Sequence, residues 1–164
     1  MSGDPGYGGG VQDDGRWMRL AIELAHRSPR SDAAFAVGAV IVDAEGREIA
    51  RGWSRDVDGQ VHAEESALSR VAPDDPRLSG ATLYSTLEPC GRRASRPRTC
   101  AELIVASGIR RVVFAWREPD VFVTGAQGIA VLAAAGIEVV EMPELAEAAQ
   151  EPNLHVLPPV RSEE

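Results

Sequence analysis

The chain has 164 residues, 44% of them hydrophobic and 26% charged, which is enough for one globular domain with its own core. Its net charge of −8 speaks against a long polyanionic partner such as duplex nucleic acid, whose binders carry an excess of positive charge. No apolar run approaches the ~20 residues of a membrane span, so no membrane association is expected.

Residues 1–12 are glycine-rich and polar and read as a disordered N-terminal segment. They lack a basic start followed by an apolar stretch, so no signal peptide is expected and the cytoplasm is the default location. A reducing compartment disfavours a structural disulfide. Asp13 or Asp14 can cap a helix in which Trp17, Leu20, Ala21, Leu24 and Ala25 form one apolar face. The run "AVGAVIVD" (36–43) predicts a buried strand, "DAEG" a turn, and the alternating "REIARGWS" (47–54) its partner. "VHAEESALSRVA" (61–72) predicts a helix with Pro73 beyond its end, and "ATLYSTL" (81–87) a third strand. A helix at 99–109 closed by Gly108 leads into a strand at 110–116. A helix at 125–136 leads into a fifth strand at 137–142. After Pro143 the pattern predicts a short helix and an extended tail. This order predicts an α/β fold, one three-layer α/β/α domain over 13–142 with a five-stranded mixed sheet between helices, followed by a C-terminal helix and tail at 143–164.

Chemistry-bearing residues collect at the ends of these elements. His62 and Glu64 open the second helix, Cys90 follows the third strand after a proline, and Cys100 lies in the first turn of the next helix. Cys90 and Cys100 are the only cysteines, and four of the nine residues between them are arginine: Arg92, Arg93, Arg96 and Arg98. Buried structural thiols and a Cys90–His62 nucleophile pair are both open readings. The nucleophile reading leaves Cys100 and Glu64 without roles. One histidine and two thiols make a three-ligand zinc set whose fourth position is left to water, as a catalytic zinc requires. Two residues apart in mid-helix diverge by about 200°, so His62 and Glu64 share a pocket only where the helix N-terminus points into it. That first turn would present His62, the Ala63 N–H and Glu64 together.

"HAEE" followed by "TLEPC…C" resembles the zinc-dependent cytidine deaminase superfamily, over about residues 14–141. The resemblance implies a cytidine-deaminase-like fold, Zn²⁺ held by His62, Cys90 and Cys100, and Glu64 as the proton shuttle rather than a ligand. It also implies that the Ala63 N–H and the backbone at Leu87–Glu88 orient the substrate ring, and that the chain forms a homo-oligomer, a dimer or higher. The two thiols stand in a C-x₉-C spacing where the superfamily usually has C-x₂-C. That enlarged loop, with "RRVVFAWREPDVFVTGAQGIAVLAAAGIEVV" (110–140), is similar to the pyrimidine deaminase of riboflavin biosynthesis.

The expected function is therefore a stand-alone zinc hydrolase that releases ammonia from an aminopyrimidine. Arg92, Arg93 and Arg96 are candidates for a substrate phosphate, weighed against a solvated loop. The sequence departs from that family at "AAF" (33–35), where the family has "PNP", and in the loop "GRRASRPR", which lacks its histidine. Ser54 stands where relatives acting on bases carry asparagine and is a candidate base contact; Trp53 reads as packing. Cytidine, deoxycytidylate, guanine and cytosine remain alternative substrates. A tRNA adenosine deaminase is disfavoured by the −8 charge, and a zinc-stabilised binding protein by the presence of Glu64.

Overall fold

The computed structural model describes residues 13–91, 98–117 and 128–157. Helix α1 (Asp14–Ala25) buries the face that carries Trp17, Met18, Ala21, Leu24 and Ala25. Strands β1 (Gly38–Val42) and β2 (Glu48–Trp53) form an antiparallel hairpin. Its turn is set by Asp43, whose Oδ1 accepts the N–H of Glu45 at 3.0 Å and of Arg47 at 2.9 Å. Then come α2 (Ala63–Leu68), β3 (Thr82–Leu87), α3 (Cys100–Ser107), β4 (Arg111–Trp116), α4 (Gly128–Ala134), β5 (Glu138–Glu141) and α5 (Ala146–Gln150). Short 3₁₀ segments cover Pro76–Gly80, Pro143–Leu145 and Glu151–Val156.

All five expected strands are present, in one sheet of order β2-β1-β3-β4-β5. β1 runs antiparallel to both β2 and β3, while β3, β4 and β5 run parallel. The mixed sheet follows from the connections: a tight turn after β1, and crossover helices α3 and α4 after β3 and β4. α1 and α5 pack on one face of the sheet, and α2, α3 and α4 on the other. β1, buried along its whole length, and β4, buried from Val112 to Trp116, are central, which is why their sequences are nearly continuous apolar runs.

α2 ends at Leu68, four residues short of the expected limit. Its last turn tightens into i→i−3 bonds, from Arg70 N to Ala67 O and from Val71 N to Leu68 O, each 3.1 Å. Pro73 disfavours the helical conformation in the residue before it, so no further turn can form.

Alternation along β3 divides its side chains between the layers. The Tyr84 hydroxyl donates to Asp14 on α1, and Arg111 grips the same carboxylate through both terminal nitrogens. Ser85, the next residue, faces α2. The chain after β5 also joins the core: Ala149 is fully buried, and the buried Asn153 side chain accepts Ala36 N–H at 2.6 Å and donates to Ala36 O at 3.0 Å. Among the described residues no helix is long and apolar enough to cross a membrane.

Candidate metal centre and active site

The site lies where β3 ends and α2 and α3 begin, at the carboxyl edge of the parallel strands, the usual place for a ligand in an open α/β sheet. Three separate local devices bring its residues together. His62 is the N-cap of α2, in extended conformation with φ −88° and ψ 160°. It stands outside the helical repeat, so its side chain need not follow the 100° step to Glu64. Its backbone N–H is held by the Glu65 carboxylate at 3.3 Å. Cys90 follows β3 by way of Glu88, whose N–H bonds Trp116 O at 2.8 Å and carries the strand pairing past the end of β3. Cys100 is the first residue of α3, capped by Thr99, whose hydroxyl accepts Glu102 N–H while the Glu102 carboxylate accepts Thr99 N–H.

The donor atoms of His62, Cys90 and Cys100 all lie within 4.8 Å of one another. His62 Nδ1 is 3.3 Å from Cys100 Sγ and 3.7 Å from Cys90 Sγ. A tetrahedral zinc with ordinary Zn–S and Zn–N bonds separates a nitrogen from a sulfur ligand by about 3.6 Å. The observed pair of distances brackets that value, so the three residues fit a zinc ion bound through Nδ1 and two sulfurs. Both cysteines are free thiols and buried. The Cys90 thiol is held well below the ordinary thiol range, chiefly by hydrogen bonding from Cys100, against the opposing effect of burial. His62 adds to the lowering, as does the Cys100 N–H at the start of α3, 3.2 Å from Cys90 Sγ. A pocket that favours thiolate is a pocket prepared for a cation.

Glu64 is buried, and Ala63 beside it is fully so. Burial pushes the Glu64 carboxyl above its ordinary range; nearby His62 pulls it back and Cys90 pushes it further up. A carboxyl held in this way is poised to carry a proton, and it stands in the first turn of α2, two residues after His62. Its Oε2 accepts the Ser85 hydroxyl at 2.9 Å.

The remaining sequence candidates have separate fates. Ser54 is buried, and its hydroxyl is engaged with Val37, accepting the N–H at 2.9 Å and lying 3.4 Å from the carbonyl. Glu88 is buried at the turn into Cys90. Trp53 is half-buried, with the Arg27 guanidinium over its ring at 5.4 Å. Arg92, Arg93 and Arg96, residues 1–12, the start of the expected helix at 125–127 and the tail from 158 lie outside the described residues.

Two residues that sequence reasoning missed hold the segment before β1. Arg55 donates to Pro29 O through Nε and Nη2 and to Phe35 O through Nη1, and Asn153 pins Ala36 from the far end of the chain. Together with Ser54 they fix residues 29–37, the stretch that includes "AAF". Arg55 is the only described non-glycine residue at positive φ, 57°, but a single arginine after "GWS" carries no sequence signal of that conformation.

Residues 11–116 match the family model for the cytidine and deoxycytidylate deaminase zinc-binding region. A diaminohydroxyphosphoribosylamino-pyrimidine deaminase of Schizosaccharomyces pombe is 41% identical over 127 residues, covering 76% of this chain and 31% of that protein. Among solved structures, Acinetobacter baumannii RibD (form 2) superposes with a TM-score of 0.73 at 36% identity, over 87% of this chain and 38% of that one. Aspergillus oryzae Rib2 deaminase in complex with DARIPP gives a TM-score of 0.67 at 26% identity, over 88% of this chain and 99% of that one. The chain spans about a third of the length of the curated relatives it matches.

Proposed function

Since the chain belongs to the cytidine and deoxycytidylate deaminase zinc-binding family, we propose that it is a zinc-dependent hydrolytic deaminase that releases ammonia from an aminopyrimidine ring, of the riboflavin-pathway type. The observation that carries this reading is the convergence of three zinc-compatible donors within 4.8 Å of one another, with a buried carboxyl, Glu64, in the first turn of the helix that one of them caps. The relatives named above as pyrimidine deaminases supply the substrate class: a small phosphoribosylated diaminopyrimidine. Residues 13–142 form the catalytic domain in this reading.

His62, Cys90 and Cys100 would hold the ion. Bound zinc supplies a Lewis acid that brings the pKa of water toward ~7. Glu64 takes the proton of the attacking water and passes it to the departing ring amino group, so ammonia leaves rather than amide anion. Burial suits Glu64 to both halves of that transfer, because its neutral form is not penalised. The Ala63 N–H and the Leu87–Glu88 backbone orient the ring. Ser54 acts with Arg55 and Asn153 in fixing the segment that borders the base. Arg92, Arg93 and Arg96 take the phosphate.

The same reading makes the enzyme a homo-oligomer in the cytoplasm, where reducing conditions keep both cysteines as thiols. An ammonia-release screen of the zinc-loaded chain tests it, covering the phosphoribosylated diaminopyrimidine, deoxycytidylate, cytidine, guanine, cytosine and adenine. Turnover on the first is expected. Turnover on free bases alone would remove the phosphate role from the arginines, and none on any would overturn the reading. Light scattering that returned a monomer mass would remove the oligomer.

A further inference from the structure

Ser85 is a fully buried polar residue in β3, a strand buried from Leu83 to Leu87, paired with Ala39 of β1 on one side and Phe114 of β4 on the other. A hydroxyl in that place costs free energy unless it is hydrogen-bonded. Its Oγ has two acceptors in reach, Glu64 Oε2 at 2.9 Å and its own strand's Leu87 carbonyl at 2.8 Å. A serine has one hydroxyl proton, so it donates to one of them at a time.

From this geometry we propose that Ser85 is a positioning residue for the proton shuttle. Its hydroxyl anchors Glu64 Oε2 to the floor of the sheet and leaves Oε1 as the oxygen that exchanges a proton with water and substrate. Ser85 keeps its own proton throughout. The Leu87 carbonyl, at 2.8 Å, is a second acceptor within reach of the same hydroxyl, so the anchor always has a partner in the core. β3 is well suited to carry it. The strand is clamped between two neighbours, and the adjacent Tyr84 ties the opposite face to Asp14 of α1. A group held by such a strand has little freedom to move. The role rests on the deaminase reading above, since it assigns the shuttle to Glu64.

The test uses the full chain in two states. In the zinc-loaded state, Ser85→Ala is expected to lower kcat of ammonia release by roughly 10- to 100-fold, as a shuttle loosened by a fraction of an ångström would, with KM within about twofold. Zinc content should stay at the wild-type level. Ser85→Thr, which restores a hydroxyl, is expected to recover most of kcat. In the zinc-free state, the stability lost through Ser85→Ala in urea unfolding is expected to shrink once Glu64 is already alanine. A Ser85→Ala enzyme with wild-type kcat, or one whose loss of activity tracks loss of zinc, overturns the proposal. So does strict additivity of the two zinc-free stability losses, which also decides the case if the threonine variant fails to fold. A wild-type chain that releases no ammonia overturns the deaminase reading instead, and the zinc-free arm still reports whether Ser85 holds Glu64.

Discussion

Gly52 offers a test of how rigidly the sheet positions the shuttle. It lies on β2 directly beneath α2. A Cβ placed there would sit 2.6 Å from Ala67 N, 2.8 Å from Ala63 O and 2.8 Å from Ser66 Cβ. Two of those three atoms are helix backbone, which cannot rotate aside as a side-chain tip can. For Gly52→Ala, α2 must lift by roughly 0.6–0.8 Å to reach the 3.4 Å at which ordinary van der Waals contact begins. Overpacking of this kind costs about 1–3 kcal/mol, and restricting the unfolded chain returns about 0.4–1 kcal/mol. At mid-range values the balance is a net loss of about 1.3 kcal/mol, or a Tm lower by roughly 3–5 °C for a chain of this size. Glu64 rides on α2 and His62 caps it, so the same lift moves both away from β3 and Cys90. A displacement of that order lowers kcat by roughly 10- to 100-fold. A coupled ammonia assay and a thermal melt measure the two effects together. Unchanged kcat and unchanged Tm would refute the close approach. A lowered Tm with wild-type kcat would refute the claim that α2 must be held within an ångström for the chemistry.

Asn153→Ala removes both partners of the buried Ala36 backbone. Its cost is expected at about 1–3 kcal/mol in urea unfolding with an unchanged m-value, and a loss under half of that would show that water replaces the amide. Tyr84 gives a pH test: burial, and then its hydrogen bond to Asp14, raise its pKa above the ordinary phenol value. A raised folded-state pKa contributes stability that is fully present below the unfolded value near 10 and is lost as pH rises through the folded one. The difference titration between wild type and Tyr84→Phe at 295 nm should therefore show no phenolate step at pH ~10. A step there would mean that Tyr84 is neither buried nor held by Asp14 in solution.

The residues of the site were more legible in the sequence than their supports were. His62, Glu64, Cys90 and Cys100 could be read because each sits at a recognisable boundary: a helix start, a strand end followed by proline, a capped first turn. The geometric difficulty of placing His62 and Glu64 in one pocket dissolves because His62 is the cap and lies outside the repeat. β1 and β4 were legible because buried strands leave nearly continuous apolar runs, and β2 because a half-buried one alternates. Ser85 was not, since in "ATLYSTL" it is one small polar residue in a strand, and nothing in the string says which face it takes. Asn153 was beyond reach for another reason: its partner Ala36 is 117 residues away, and a single polar side chain carries no period. Gly52 gave no signal either, because a close approach between strand and helix depends on the packing of both. The support of the site comes from long-range contacts, and those are what a linear pattern omits.

The central claim is that one zinc ion, held by His62, Cys90 and Cys100, works with Glu64. Its most direct test is a zinc titration of the chelator-stripped protein, following bound metal and ammonia release together. Wild type is expected to take up one zinc per chain and to regain turnover in proportion. Glu64→Gln should bind the same single equivalent and stay at least ~100-fold less active, the scale of a lost general acid–base. Cys100→Ser should fail to reach one equivalent under the same conditions. Turnover in the stripped protein, full zinc uptake without Cys100, or an active Glu64→Gln enzyme would contradict the account.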